Sequence, residues 1–330
     1  MSVPSPVLRA AAMAAVLGGT LATAPAHADP IRIAYGDIAS MEAVPVLAAF
    51  ERAKEKGLDL EVIYVQSKEM AGQVVVSGQA EIGIGIPYAI IQKVDTPTRM
   101  FLQMSKLNYY PIVSAEHYQD WEDLDGEEIA VHSRGSGTEA IIQLIADKHG
   151  IEFSRITYVP GSEVRAGAML QGVIKASVVD SANLRMLMEE APGRFVALPM
   201  DAASATDEGL FASQEFIERE AEAIDILVEA VLTTLREVAE RPEVVVELRE
   251  QYGLLPDLPE GIDEEMVQYF TELAEENAIP VNGGGESAAR DDLAFYALSG
   301  QLEGDPASLE VEDFWDLEPL ERALGRLGTS

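Results

Sequence analysis

The sequence has no cysteine among its 330 residues, and this absence excludes several kinds of site. Without thiols the protein forms no disulfide, no Cys-ligated zinc or iron–sulfur centre and no cysteine nucleophile. Positive charge is also scarce, because 23 Lys and Arg stand against 57 Asp and Glu, which gives a formal net charge of −34. Such a charge repels phosphate backbones and anionic lipids, so we expect no nucleic-acid partner and no binding to a membrane surface.

The carboxylates are dispersed along the chain instead of forming a tail, and lysine is rare, with 7 residues. A hydrated, Lys-poor, acidic surface keeps a protein soluble at high ionic strength, where repulsion between charges is screened. The composition therefore predicts a halophile-type surface and a saline habitat, and it says little about what the protein binds.

Long hydrophobic runs are missing as well. The apolar segment at residues 10–21 is shorter than the roughly 20 residues of a membrane-spanning helix. It follows a single cation, Arg9, and precedes Ala26-His27-Ala28, a pattern that signal peptidase cleaves. The sequence predicts a signal peptide over residues 1–28, cleavage after Ala28 and a periplasmic protein without a lipid anchor.

Strands and helices alternate in the same order twice along the chain. The first unit, residues 31–86, reads as strand, helix, strand, short helix and strand, and it ends in EIGIGI. The second unit, residues 128–181, repeats this order and ends in ASVVDS. Strands that alternate with helices form parallel βαβ units. The pattern predicts an α/β protein with two lobes, each built on one βαβαβ unit.

Two segments are predicted to join these lobes, one near residues 111–116 and one near 196–205. From Gln214 onward apolar residues recur at helical spacing, which predicts a helical C-terminal region that packs on the first lobe. Its later helices are predicted at 263–277, 287–302 and 311–327. The predicted lobes are residues 29–113 with 205–330 for lobe 1, and 114–204 for lobe 2.

The loop His132–Thr138 is the richest candidate for binding. In parallel α/β lobes ligands bind beyond the carboxyl ends of the strands, where helix N-termini present free N–H groups. This loop combines two glycines, three hydroxyls and Arg134 at a strand-to-helix turn, which suits an anionic oxygen group. The alternative is a capped turn in which Ser136 or Thr138 binds the first helical N–H groups, with Arg134 in solvent or paired with Glu139.

Other candidates follow other strands. Arg165, in the helix that starts after Gly161, is either a ligand contact or a surface residue. Asp180 and Asn183 follow the last strand of the second unit. Tyr35 and Tyr88 each follow a strand of the first unit and could flank a planar solute, or could be buried with a bonded hydroxyl.

Several enzyme signatures are absent from the sequence. The positions around Ser136 that a G-x-S-x-G nucleophile elbow fills with glycine are Arg134 and Thr138. No G-x-x-x-x-G-K-[ST] phosphate loop occurs. The predicted mature chain has three histidines, none at metal-pair spacing, so we expect neither a metal site nor a cofactor.

Short motifs carry a resemblance to a known family. The segments GQAEIGIGIPYAII, DWEDLDGEEIAVHSRGSG and LQGVIKASVVDSAN, with the export signal and the helical tail, resemble periplasmic solute-binding proteins of ABC importers. The similarity is to the sulfonate/nitrate/taurine-binding type and its thiamine-pyrimidine-precursor-binding relatives. The D-L-K-G-K segment of that family reads Asp-Leu-Asp-Gly-Glu here, at residues 123–127, with acids in place of both lysines.

The resemblance implies a Venus-flytrap protein of periplasmic binding protein type II. Its lobes would close over a small solute, and the protein, a monomer and not an enzyme, would deliver it to an inner-membrane permease with a cytoplasmic ATPase. Ligand positions of the family fall here on Asp37, Ser40, Pro87, Tyr88, Ser133, Ser136, Gly137, Thr138 and Asp180.

The solute class stays open, because Gly36–Ser40 departs from the usual sulfonate-binder pattern. An anionic, sulfonate- or carboxylate-like solute is the first hypothesis, held at Arg134. A pyrimidine-like heterocycle held by Tyr35, Tyr88 and Asp180 is the alternative. A secreted enzyme on the same scaffold, or a receptor for a signalling or TRAP-type partner, would also fit.

Overall fold

The computed structural model describes Met1 and residues 30–94, 96–200, 205–259 and 261–328. The predicted signal peptide beyond Met1 lies outside the described residues. Within the described ranges no helix combines the length and the apolar character needed to span a bilayer.

Two five-stranded sheets, surrounded by helices, make up the fold. The strands are β1 (Ile31–Tyr35), β2 (Leu60–Tyr64), β3 (Ile82–Gly85), β4 (Thr98–Lys106), β5 (Tyr109–Ser114), β6 (Glu128–Val131), β7 (Arg155–Tyr158), β8 (Ala176–Asp180), β9 (Phe195–Ala197) and β10 (Thr206–Ser213). The helices are α1 (Val44–Glu55), α2 (Lys68–Val76), α3 (Tyr88–Val94), α4 (Gly137–His149), α5 (Ser162–Leu170), α6 (Ser181–Glu190), α7 (Gln214–Arg219), α8 (Ala221–Glu240), α9 (Val244–Tyr252), α10 (Ile262–Glu275), α11 (Gly285–Leu298) and α12 (Glu318–Leu327).

The first sheet has the order β2-β1-β3-β10-β4. Its first three strands are parallel, and β10 runs antiparallel to both neighbours. Ile33, Ile82 and Ile84 are buried at its centre, because helices cover both faces of the sheet and the strands can be apolar on both sides. The predicted βαβαβ unit of the first lobe is confirmed.

The second sheet has the order β7-β6-β8-β5-β9 and contains the second predicted unit as β6, β7 and β8. It also contains β5, which pairs antiparallel with β8 and β9. The predicted boundary at residues 113–114 therefore cuts through a strand of the second sheet. The segment was predicted as a crossing because it contains Pro111. In the structure the Pro111 carbonyl accepts a hydrogen bond from Leu198 N (3.0 Å), next to the pairing of β5 with β9.

The chain passes between the sheets at residues 107–108, between the end of β4 and the start of β5. This crossing lies four residues before the predicted one at 111–116. The return crossing lies between β9 and β10, inside the predicted range 196–205, and residues 201–204 of it are not among those described.

The C-terminal region is helical and packs on the first lobe, as predicted. Helix α8 packs against α1 and α12, and β4 contacts α8, α11 and α12. Helices α10 and α11 also touch α6 and α4 of the second lobe. The predicted helix at 311–327 is shorter in the structure, because residues 311–316 form a 3-10 turn and then lie along β4, with Met100 N donating to Phe314 O (2.9 Å).

Candidate functional site

Polar side chains from both sheets meet where the sheets face each other. Asp37 follows β1, and its Oδ2 lies 3.7 Å from Nε2 of His132, which follows β6. Asp180 ends β8, and Glu42 lies in the 3-10 helix that precedes α1. The carboxyl ends of parallel strands form the edge at which α/β folds bind ligands. The junction therefore satisfies the geometric expectation for a binding site.

A cavity of about 80 Å³ lies at this junction. Three tyrosine rings line it, those of Tyr35, Tyr109 and Tyr269. Burial is the main reason why the pKa of each of these hydroxyls is well above its ordinary value, and nearby carboxylates add to the shift. The tyrosines therefore present neutral rings and hydroxyls.

Lys68 is the cation at the centre of the junction, and it is only 3% exposed. Its Nζ lies 2.7 Å from Asp207 Oδ1 and 3.6 Å from Glu208 Oε1. Burial alone would lower the pKa of Lys68, but these two carboxylates raise it above its ordinary value. Ser67 caps α2 by accepting a hydrogen bond from Met70 N (3.1 Å), which fixes the helix start that holds Lys68.

Three carboxyl groups at the junction hold their protons more tightly than usual, those of Asp37, Glu42 and Glu208. Burial raises the pKa of Glu208 to about 8, against the opposing charge of Lys68. Burial likewise raises the pKa of Asp37 to about 6. Burial and the charge of Asp180 raise the pKa of Glu42 well above its ordinary value.

The loop 133–138 largely satisfies its own polar groups. Ser136 caps α4, because its Oγ accepts from Glu139 N (3.3 Å) and donates to Ser133 O (2.7 Å). Thr138 Oγ1 accepts from His132 N (3.0 Å). Gly137 packs against the crossing, since a Cβ there would lie 2.1 Å from Leu107 Cδ2. These contacts match the capped-turn alternative.

Arg134 is exposed, and its guanidinium carbon lies 5.4 Å from the centre of the Tyr158 ring. Glu139 does not pair with it in the structure, because that carboxylate accepts from Gly135 N (2.6 Å) and from the Tyr158 hydroxyl. Arg134 and Pro87 line a separate groove of about 360 Å³. The structure thus places Arg134 outside the cavity lined by the tyrosines.

Arg165 and Asp180 have structural partners. Arg165 is 1% exposed and donates to Val178 O (3.0 Å), Val159 O (2.8 Å) and Gly161 O (3.0 Å), so it is a buried residue and not a surface one. Asp180 caps α6 by accepting from the backbone and side-chain nitrogens of Asn183, both at 2.8 Å.

Tyr88 lies in the core of the first lobe, 1% exposed. Its hydroxyl donates to Asp292 and accepts from Trp315 Nε1 (2.8 Å). Burial raises the pKa of Asp292 to about 7. The structure therefore matches the buried alternative for Tyr88 and separates it from the cavity. Ser40 precedes the 3-10 helix, accepting from Ala43 N (3.1 Å) through its carbonyl, and its side chain forms no cap.

Several residues of the junction were missed by the sequence analysis. The only sequence signals for Lys68 were the rarity of lysine in this chain and its position shortly after a predicted strand. Asp207 and Glu208 lie just beyond the segment predicted as the second crossing, in the strand β10, where two adjacent acids are unusual. Glu42 and Tyr269 lie on helical turns. There the sequence pattern indicates only which face of the helix is apolar, and it does not identify a residue that lines a cavity.

Among the described residues no group of three or more His, Asp or Glu is placed to hold a metal ion.

The fold is similar to those of several solved structures. A protein from Bordetella bronchiseptica RB50 superimposes with a TM-score of 0.71 at 19% identity, covering 90% of this chain and 98% of that chain. The periplasmic nitrate-binding protein NrtA from Synechocystis PCC 6803 gives 0.66 at 13% identity, covering 92% and 90%. A putative periplasmic sulfonate-binding protein SsuA from Methylobacillus flagellatus KT gives 0.58 at 19% identity, covering 91% and 95%.

These likenesses confirm the predicted two-lobed α/β fold. No curated protein matches the chain in sequence. The model of one protein family, described as NMT1/THI5 like, matches residues 44–244, which run from the start of α1 to the end of α8 and include the whole second sheet. The chain belongs to the NMT1/THI5-like family.

Proposed function

We propose that the protein is an exported solute receptor of an ABC importer. It binds a small organic solute between its two lobes and delivers the solute to an inner-membrane permease that a cytoplasmic ATPase drives. The receptor acts in the periplasm as a monomer after cleavage behind Ala28.

The observation that supports this proposal most is the junction itself. Asp37 and His132 follow strands of two separate sheets and come within 3.7 Å of each other, and Asp37 also lines the cavity. Two crossings join the sheets, so the lobes can rotate about them and exchange open and closed arrangements. The sulfonate- and nitrate-binding proteins with a similar fold are named as binding proteins, which agrees with this role.

Small-angle scattering tests the closure. The protein purified without denaturation is expected to release its solute on unfolding, and mass spectrometry identifies it. Adding that solute back to emptied protein should lower the radius of gyration, because binding favours the closed arrangement. An unchanged radius at saturating solute contradicts the receptor mechanism.

The same preparation distinguishes a receptor from an enzyme. A receptor returns the solute chemically unchanged after prolonged incubation, whereas an enzyme on this scaffold alters it.

The structure offers the solute two environments of different charge: the groove beside Arg134 and the cavity lined by carboxyl groups.

A further inference from the structure

Carboxyl groups outnumber cations in the lining of the cavity. The acidic residues that line it are Asp37, Glu42, Asp207 and Glu208. Lys106 also lines it, and its Nζ donates to Asn277 O (3.0 Å). Lys68 pairs with Asp207 at 2.7 Å and offsets one negative charge. The raised pKa of Glu208 keeps that carboxyl largely protonated near neutral pH, so the lining is not strongly negative. Lys68 and Lys106 are already bonded to oxygen atoms, so the lining offers a cation carboxyl groups that can ionise and offers an anion no unpaired lysine among these residues.

Two carboxyl groups meet across the lobes. Glu42 belongs to the first lobe and Asp180 to the second, and the charge of Asp180 helps to raise the pKa of the Glu42 carboxyl. Two carboxylates in contact repel each other unless a proton or another positive group lies between them. A positive group on the solute would remove that repulsion at the moment the lobes close.

A buried imidazole lies beside this cluster. His132 is 5% exposed, and its Nδ1 accepts from Gly161 N (3.4 Å), so Nε2 carries the hydrogen. Nε2 faces Asp37 from 3.7 Å and interacts with the Gly36 backbone, so it holds the loop of Asp37 in place. Burial lowers the pKa of His132 to about 2, so the ring is neutral and offers a hydrogen bond without charge.

An unused donor lies in the wall of the cavity. Asn108 belongs to the crossing between the sheets, and its buried Nδ2 has no partner among the residues described. An unmet buried donor costs free energy that a hydrogen-bond acceptor on a ligand recovers. This donor calls for a solute that carries an oxygen acceptor in addition to its charge.

Aromatic rings favour one type of cation. The side chains of Tyr35, Tyr109 and Tyr269 line the cavity, and an aromatic ring attracts a cation that lies over its face. The Tyr109 hydroxyl donates to Asp207 Oδ2 (2.9 Å), which fixes that ring. A simple ammonium group is strongly hydrated and costly to bury, whereas alkylation weakens its hydration. A volume of about 80 Å³ holds roughly five water-sized groups.

We propose that the solute is a small substituted ammonium compound with an oxygen acceptor, held in this cavity by carboxyl groups, tyrosine rings and the Asn108 donor. The inference rests on the proposed receptor function and names its substrate class. The ammonium group occupies the space between Asp37 and Glu42, and the oxygen meets the Asn108 amide.

Isosteric probes test the charge directly. Choline and 3,3-dimethylbutan-1-ol differ only in nitrogen against carbon, and so do glycine betaine and 3,3-dimethylbutanoate. Calorimetry at constant ionic strength should show that at least one nitrogen compound binds about tenfold or more tightly than its carbon partner. Scattering should show compaction with that compound and not with its partner.

Variants assign the preference to the cavity. Asp37→Asn should reduce the ratio between nitrogen and carbon partners severalfold, because it removes one carboxylate and leaves the shape. Glu61→Gln is the matched control, since it makes the same charge change at an exposed side chain of β2 and should leave the ratio unchanged. Loss of like-charge repulsion at Asp37 keeps the variant folded, which its melting temperature verifies.

Each outcome decides between the two proposals. Equal binding of the isosteres, or release of an anionic or neutral native solute, overturns the ammonium inference and leaves the receptor standing. A protein that releases no solute, and that neither binds nor compacts with these probes or with methanesulfonate, contradicts both. If Asp37→Asn and Glu61→Gln change the preference for the nitrogen compound equally, the ammonium group does not bind in this cavity.

Discussion

Glu208→Gln is expected to flatten the dependence of stability on pH. The Glu208 side chain is 14% exposed and lies in β10, between Lys68 and the cavity. Burial raises its pKa from 4.5 to about 8. The folded protein therefore holds a proton that the unfolded chain releases over this range.

The sign and size of the change in stability follow from the difference between the pKa of Glu208 in the folded and unfolded states. The contribution of Glu208 to stability is fully present below pH 4.5 and is lost as the pH rises through about 8, because the folded state must then bury a charge. The whole shift corresponds to about 5 kcal/mol, of which about 3 to 4 kcal/mol falls between pH 5 and pH 8. Gln has nearly the same shape and no such proton.

Urea unfolding followed by circular dichroism measures the effect. The stability of Glu208→Gln relative to the wild type should rise by about 3 to 4 kcal/mol from pH 5 to pH 8. Taking the difference between the two proteins cancels the contributions of Asp292 and His132, which both share. Glu61→Gln should leave the shape of the curve unchanged. Parallel curves for Glu208→Gln and the wild type would refute the assignment of a buried proton to Glu208.

Three further substitutions separate the site from its surroundings. Arg134→Ala should change the affinity for the native solute less than about threefold, and a loss of about 2 kcal/mol in calorimetry would favour the anion hypothesis instead. Tyr88→Phe should lower the free energy of unfolding by about 1.5 to 3 kcal/mol, because Asp292 loses a hydrogen-bond donor. The affinity for the solute should stay within about twofold, and a loss of affinity as large as the loss of stability would indicate that Tyr88 contacts the solute. Glu272→Gln breaks the ion pair with Arg185 that joins α10 to α6 across the lobes, so affinity should fall by about threefold and the solute-free protein should be more open in scattering; an unchanged radius would show that this pair does not hold the lobes.

The features of the fold that the sequence predicted correctly depend on residues that are close together along the chain. Both βαβαβ units are encoded by local periodicity and by glycines at helix ends, such as Gly150, whose φ of 66° few other residues adopt readily. The cap of α4 was also predicted as an alternative, since Ser136 and Glu139 lie within one turn. These features need no knowledge of the tertiary structure.

The parts that were missed depend on residues distant in sequence. The hydroxyl of Tyr88 is taken up by Asp292, 204 residues later, so nothing near position 88 distinguishes a core tyrosine from one in a cleft. Lys68 meets Asp207 139 residues along the chain. Likewise β5 belongs to the second sheet because β8 and β9 pair with it, and its own sequence fits either lobe.

The position of β10 has a consequence for the order of folding during synthesis. This strand lies between β3 and β4, yet it follows the whole second sheet in the chain. The first sheet cannot close until residue 213 is available, and its edge strand β4 stays uncovered until Asp316 N donates to Met100 O (2.8 Å). The second sheet, by contrast, draws all its strands from the continuous segment 109–197. The N-terminal half of the newly made chain therefore remains without its sheet while the middle can already fold, the reverse of the usual N-to-C order. The proposed export requires an unfolded chain, and this delay favours it because the first sheet cannot form completely before β10 is made.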